Sequence, residues 1–154
     1  VQFVSKNPYK IIFSGRASQY CSAFGEHVIE KEVQEALNWA LKKYGGVVCE
    51  FSVCPLVVSG PGKSRHQWFV EFLETPTCFS EFEEALNQKM MDQNIYYKDL
   101  IASGVIQSLK IISVNSGGFN AYMKSIGKFG GQNKCPHLSN ERKIANFLLK
   151  NYVK

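Results

Sequence analysis

Residues 28–44 constrain the fold of this chain more than any other segment. Apolar side chains recur there at helical spacing, at Ile29, Val33, Ala36, Leu37, Ala40, Leu41 and Tyr44. Glutamates fall early in the segment and lysines fall late, an order that complements the dipole of a helix. Gly45 and Gly46 follow directly and are typical of a helix end. The sequence therefore predicts an amphipathic helix over 28–44.

Two apolar runs after this helix predict an antiparallel hairpin. Residues 47–58 read as a long strand interrupted at Pro55, and 67–72 read as the returning strand. Residues 59–64, rich in glycine, proline and serine, form the predicted turn between them. Because proline cannot donate to a strand ladder, Pro55 favours an edge position or a bulge.

The other periodic segments complete an alternating order of strands and helices. They predict strands over 9–14 and 109–114, and helices over 80–93, 119–126 and from a Ser139 cap onward. Ser80 and Glu83 are spaced for a capping box, whereas 96–104 stays ambiguous. The β-α-β-β-α-β order predicts an α+β fold. It is a split βαβ (ferredoxin-like) arrangement, a mostly antiparallel sheet covered by helices, with extra C-terminal helices.

Composition sets few limits on function. The 154 residues suit one domain, and no apolar run approaches the roughly 20 residues of a membrane span. The net charge of +5 permits anionic ligands without requiring nucleic acid. Five cysteines without a C-x-x-C pair indicate free thiols in a reducing cytoplasm, with Cys49 and Cys54 in the core. The three histidines lack metal-ligand spacing, so no metal site is predicted.

The loop at 127–137 is the strongest chemical signal. It holds three glycines, the lysines Lys128 and Lys134, and Pro136, which favours extended backbone before it. Glycines allow a ligand to approach the backbone closely, and lysine supplies a mobile positive charge. Such a loop suits a phosphate or a carboxylate. Taken alone, it is better interpreted as a solvated connection between two helices.

Several motifs resemble one family of adenylate-forming enzymes. They are Ser14-Gly15-Arg16, Ala23-Phe24-Gly25-Glu26, Arg65-His66-Gln67-Trp68 with Glu71-Phe72, and the run from Gly130 to Asn140. The first resembles the hinge that precedes the small C-terminal domain of adenylate-forming enzymes in general. The other three resemble that domain in the acyl acid amido synthetases, the auxin-responsive family of plants, and their bacterial relatives. The resemblance implies that residues 1–154 are one small C-terminal domain, cut from a longer protein whose ATP-binding N-terminal domain is absent.

The resemblance also implies a chemistry. Family enzymes use ATP with magnesium to activate a carboxylic acid as an acyl-adenylate and then transfer the acyl group to an amine or amino acid. Lys134 is implied to be the catalytic lysine of the closed adenylation site. Arg16 is implied to mark the hinge near the nucleotide, and its alternative is a surface ion pair. Nucleotide or phosphate binding is implied for Gly130, Gly131, Gln132 and Lys128. Because ATP and magnesium are bound mostly by the N-terminal domain, this chain alone is expected to hold no cofactor and to be inactive.

Four further positions have competing interpretations. His137 stands where the resemblance leads us to expect arginine, and no catalytic role is assigned to it. Glu26 is expected to cap the following helix or to touch substrate. His66, with Lys63 and Arg65, is expected in a solvated basic cluster at the hairpin tip. Trp68 is expected in the core.

The sequence is also compatible with a second class of function, that of a binding module. A stand-alone ferredoxin-like module could bind a small anion or RNA, since such a sheet serves many functions. RNA binding on a sheet face needs exposed aromatic residues with basic neighbours. Phe51, Trp68 and Phe72 are aromatic strand residues, but lysine and arginine do not flank them closely. The favoured partners are therefore the N-terminal domain and the carboxylic acid and amine substrates, without nucleic acid or membrane.

Overall fold

The computed structural model describes residues 2–12, 20–60 and 64–153. Its strands are β1 (Gln2–Lys6), β2 (Tyr9–Ile12), β3 (Tyr20–Cys21), β4 (Val28–Ile29), β5 (Val47–Leu56), β6 (Arg65–Glu74) and β7 (Lys110–Ser113). Its helices are α1 (Glu30–Tyr44), α2 (Phe79–Gln93), α3 (Ile95–Ala102), α4 (Gly118–Ser125) and α5 (Lys143–Asn151). The predicted α+β class is confirmed. Arg16 and Lys63 lie outside the described residues.

Helix α1 confirms the main prediction from the sequence and begins two residues later than expected. Val28 and Ile29 form β4 instead, paired with β3. The Glu32 carboxylate accepts a hydrogen bond from the Ile29 amide at 3.0 Å, which satisfies a free donor of the first turn. Gly45 ends the helix with a φ of 74°, a left-handed value that glycine adopts without strain.

The predicted hairpin is also present. Strands β5 and β6 pair antiparallel from the Val47–Glu74 pair to the Leu56–Arg65 pair. In the sheet order β5-β6-β7, β5 is an edge strand, as Pro55 predicted, and it continues through that proline. Strand β7 pairs parallel to β6.

Cys49 is exposed, so its predicted place in the core is wrong. The pairing of β5 with β6 passes from Val48 to Glu50 and skips Cys49. Such a bulge removes a residue from the regular alternation of the two strand faces. Cys54 lies in the regular part of β5 and is fully buried, as predicted. All five cysteines are free thiols.

Helices cover both faces of the β5-β6-β7 sheet. On one face, α1, α2 and α3 pack over Phe51, Val53 and Trp68. On the other face, α4 and α5 pack over Cys54 and Phe69. Trp68 is a core residue, as predicted, and with Phe51 it is unavailable as an exposed platform for RNA bases. No helix in the described part of the chain is long and apolar enough to cross a membrane.

The first predicted strand lies apart from this sheet. Strand β2 pairs antiparallel with β1, in a separate two-stranded sheet. Within the described residues the central sheet therefore has three strands, and the strand before α1 does not join it as in the split βαβ order.

The predicted caps at Ser80 and Ser139 are wrong. Helix α2 begins one residue before Ser80, and no side chain caps its first turn. Glu83 instead accepts hydrogen bonds from the Ile111 amide at 2.6 Å and from Lys110 Nζ at 2.8 Å, which joins α2 to β7. Ser139 Oγ accepts from the Glu141 amide at 3.1 Å in a turn that precedes α5.

The ambiguous segment at 96–104 contains most of helix α3. Asn94 caps this helix, because its side-chain oxygen accepts a hydrogen bond from the Tyr97 amide at 2.9 Å.

Candidate functional site

The loop at 127–137 connects α4 to the segment before α5. Gly127, Gly130 and Gly131 have φ values of 68°, 87° and 65°. Residues other than glycine rarely adopt such values, so the glycines of the motif set the path of this backbone. The Lys128 amide donates to the Met123 carbonyl at 2.9 Å, which fixes the start of the loop against α4.

The far end of the loop is anchored on the free edge of β5. The Val53 amide donates to the His137 carbonyl at 2.9 Å, and the Ser139 amide donates to the Val53 carbonyl at 3.0 Å. Ser52 Oγ also donates to the Pro136 carbonyl at 2.7 Å. Lys134 is therefore held three residues before a backbone pairing, on a loop fixed at both ends.

A pocket of about 340 Å³ lies between this loop, α4 and β5. Lys128, Gly130 and Lys134 are part of its lining, together with Glu50 and His137. Gly131 and Gln132 are exposed on the same loop. Lys134 makes no ion pair or hydrogen bond to any described residue, so its ammonium group is available to a ligand.

His137 joins this pocket to the sheet. Its ring lies between two carboxylates, with Nδ1 3.1 Å from Glu30 Oε1 and Nε2 2.9 Å from Glu50 Oε1. The ring stacks on Phe51 with centroids 4.3 Å apart. Burial alone lowers the pKa of His137, but the hydrogen bonds and charges of Glu50 and then Glu30 outweigh it and raise this pKa above 6.5. A protonated ring here supplies positive charge between two acids at the position where arginine was expected.

A second cluster was not found from the sequence. Cys21, Glu26 and His66 are each fully buried. His66 Nε2 lies 2.8 Å from Glu26 Oε1, and Cys21 Sγ donates to the same oxygen at 3.3 Å. The expected roles of Glu26, as a helix cap or substrate contact, and of His66, in an exposed basic cluster, are wrong. Glu26 lies before β4 and His66 lies on β6, so only the tertiary fold brings them together.

The Glu26 carboxylate is charged despite its burial. Burial raises the pKa of Glu26, but the hydrogen bond and charge of His66, with backbone donors including the Phe24 amide, lower it to about 2. The Phe24 amide lies 2.8 Å from Glu26 Oε2. Pairing with His66 therefore stabilises the charged form of the buried Glu26 carboxylate.

The structure describes only part of the predicted nucleotide site. Lys128, Gly130 and Lys134 meet at one pocket, with Gly131 and Gln132 on the same loop. Arg16, the remaining predicted nucleotide ligand, is outside the described residues.

Comparison with known proteins identifies the class. Residues 31–143 match the family model described as the GH3 family C-terminal domain. The chain therefore belongs to the GH3 family and represents its C-terminal domain.

Solved structures agree on the fold. The chain is similar to a structure of GH3.15 acyl acid amido synthetase, with a TM-score of 0.74, 17% identity and coverage of 95% of this chain and 27% of that one. A structure titled AtGH3.15 acyl acid amido synthetase in complex with 2,4-DB has the same TM-score, identity and coverage of this chain, and is covered to 28%. This chain thus spans just over a quarter of their length. A search of curated proteins found no match.

Proposed function

We propose that this domain is the mobile C-terminal part of an ATP-dependent acyl acid amido synthetase. The enzyme activates a carboxylic acid with magnesium-ATP as an acyl-adenylate and conjugates the acyl group to an amine or amino acid. The family match supports this class. The observation that carries the proposal is Lys134, which lines the loop pocket without a partner among the described side chains.

The proposal requires a larger N-terminal domain that binds ATP and the acyl substrate. In support, the chain spans only 27% and 28% of the similar synthetase structures. Two apolar side chains, Ile126 just before the loop and Phe129 within it, are 43% and 54% exposed and provide contact area for such a partner. The isolated chain is expected to be inactive because, on this proposal, the N-terminal domain binds most of the ATP and the acyl substrate.

Lys134 acts when the domains close. A unit charge pair at ~4 Å is worth about 1 kcal/mol in bulk water and about 4 kcal/mol near a protein surface with a lower effective dielectric. Closure that brings Lys134 between the carboxylate and the α-phosphate therefore stabilises the transition state of adenylation. Gly130 and Gly131 let the backbone approach the phosphates, while Gln132 and Lys128 supply further donors.

The test is Lys134→Ala in the full-length enzyme, measured by ATP–pyrophosphate exchange with a panel of carboxylic acids. We expect exchange to slow by about 10²–10³-fold, the usual cost of removing one such electrostatic donor. ATP affinity should change little, because the lysine contributes to the closed complex and not to the open ground state. Lys134→Arg should recover little, since a planar guanidinium does not replace a compact ammonium.

Lys150→Ala is the matched control, because Lys150 is an exposed lysine on α5 outside the pocket lining. It should exchange at the wild-type rate. If Lys128→Ala abolishes exchange and Lys134→Ala does not, the catalytic role belongs to Lys128. If neither lysine affects exchange, the loop has no role in adenylation and the small-anion module gains support.

A further inference from the structure

Three side chains with possible metal-ligand atoms converge in the core, and none of them lines the loop pocket. Cys21 lies on β3, Glu26 precedes β4, and His66 lies on β6. Cys21 Sγ is 3.3 Å from Glu26 Oε1 and 3.9 Å from His66 Nε2, and the last two atoms are 2.8 Å apart. Each residue offers one ligand atom, and all three are fully buried.

These separations are close to those of a tetrahedral zinc site. Zinc bonds of about 2.0–2.3 Å at tetrahedral angles place neighbouring ligand atoms roughly 3.4–3.6 Å apart. The two contacts of Cys21 Sγ, at 3.3 and 3.9 Å, lie on either side of this range. The hydrogen bond between His66 and Glu26, at 2.8 Å, has to lengthen by only about half an ångström when a metal replaces its proton.

Neighbouring groups already hold these ligands in place. The Phe24 amide donates to the second oxygen of Glu26 at 2.8 Å, and Asn94 Nδ2 donates to the Glu26 carbonyl at 3.0 Å. The rings of Phe24 and Tyr97 lie 6.1 and 5.2 Å from the His66 ring. Hydrogen bonds to the ligands and an apolar surround are what orient and tune protein metal sites.

The donor types indicate which metal would bind. One thiol, one imidazole and one carboxylate form the mixed sulfur, nitrogen and oxygen set that zinc accepts, whereas magnesium and calcium prefer oxygen ligands.

We infer that Cys21, Glu26 and His66 bind one zinc ion that fixes the β3–β4 segment to β6. On binding, the Cys21 thiol releases its proton to solvent and the sulfur becomes a thiolate ligand. His66 binds through Nε2, and the proton that Nε2 shared with Glu26 passes to Nδ1 by exchange with solvent. The neutral ring then carries its one proton on Nδ1, which has no hydrogen-bond partner among the described residues. The ion is structural, and the inference does not depend on the proposed adenylation activity.

The test uses the 154-residue chain with Cys49→Ser and Cys78→Ser, which removes the two exposed thiols. The chain is unfolded with a chelator, refolded with zinc sulfate, freed of excess metal and analysed by mass spectrometry for zinc. We expect one zinc per chain and a higher Tm than in the chelated form. Refolding with cobalt should give a sulfur-to-cobalt charge-transfer band. A folded chain with no retained zinc, or bound cobalt without this band, would overturn the inference.

Cys21→Ser in the same background tests the sulfur ligand. We expect a loss of about tenfold or more in zinc affinity, together with loss of the cobalt–thiolate band. Cys54→Ser is the matched control, since Cys54 is also a buried thiol but packs on the opposite face of the sheet. Circular dichroism confirms that both variants fold. Equal zinc affinity in Cys21→Ser, or an equal loss in Cys54→Ser, would contradict the assignment.

Discussion

Two histidine–carboxylate clusters in this domain differ mainly in their access to water. His66 and Glu26 are both fully buried. The side chain of His137 is 24% exposed, and those of its partners Glu30 and Glu50 are 33% and 28% exposed. The same pairing of an imidazole with carboxylates therefore occurs in a dry environment and in a partly hydrated one. The free-energy cost of losing one partner differs between the two.

Burial decides what each pairing contributes. In the dry cluster, losing one partner leaves a charge or donor that water cannot reach, so the free energy of unfolding decreases. In the hydrated cluster, water compensates for a lost partner, and exposed ion pairs contribute little to stability. The buried cluster is thus a structural element. The exposed one can change protonation beside the loop pocket without unfolding the protein.

The largest expected effect is that of His66→Ala, measured in the chelator-treated chain by urea unfolding. We expect a loss of about 3–5 kcal/mol in the free energy of unfolding, because Glu26 is left as an uncompensated buried charge. His137→Ala should cost clearly less.

A double-mutant cycle sharpens this comparison. Glu26→Ala with His66→Ala should cost less than the sum of the two single substitutions, since the pair is directly coupled. Equal losses for His66→Ala and His137→Ala would show that burial does not separate the two clusters.

The next effect concerns the pH dependence of the exposed cluster. Folding raises the pKa of His137, so the protonated form is favoured in the folded state. The resulting stabilisation should be fully present below the unfolded value of 6.5 and should be lost as pH rises through the higher folded-state pKa. The comparison is between wild type and His137→Gln, by chemical unfolding across this range.

The difference in stability between these two proteins should shrink as pH rises. Its size should be about 0.5–3 kcal/mol at the acidic end, the ordinary range for single substitutions. A difference that stays constant with pH, or grows as pH rises, would mean that Glu50 and Glu30 do not favour the charged ring.

The sequence predicted the parts of this domain that depend on local interactions. Helix α1 and its end at Gly45 follow from spacing and from glycine geometry, both readable within one segment. The glycines of the 127–137 loop likewise have positive φ values, which follow from the residue type itself. The β5–β6 hairpin was predictable because its two apolar runs flank one short turn.

What depends on distant contacts was not predicted. Glu26 and His66 are 40 residues apart, and no spacing rule joins them. Cys49 was assigned to the core because it lies in an apolar run, but a bulge in the strand pairing places it in solvent. The side chain of His137 meets Glu30 and Glu50 only because its backbone pairs with β5.

The smallest expected effect is that of Lys134→Ala on the stability of the isolated domain. The side chain is exposed and makes no ion pair or hydrogen bond with a described residue. The loop is held instead by backbone pairing at Val53 and by the buried Cys135 next to the lysine. The free energy of unfolding should therefore change by no more than about 0.5 kcal/mol, as for surface substitutions generally. A loss above about 1 kcal/mol, measured beside Lys150→Ala, would place Lys134 among the structural groups. Slow adenylation in the full-length variant would then result from a disrupted loop structure and not from the loss of the lysine charge. An unchanged free energy of unfolding would show that folding does not require the Lys134 side chain, so its ammonium group is available to a ligand. In the buried cluster, by contrast, folding requires the paired side chains.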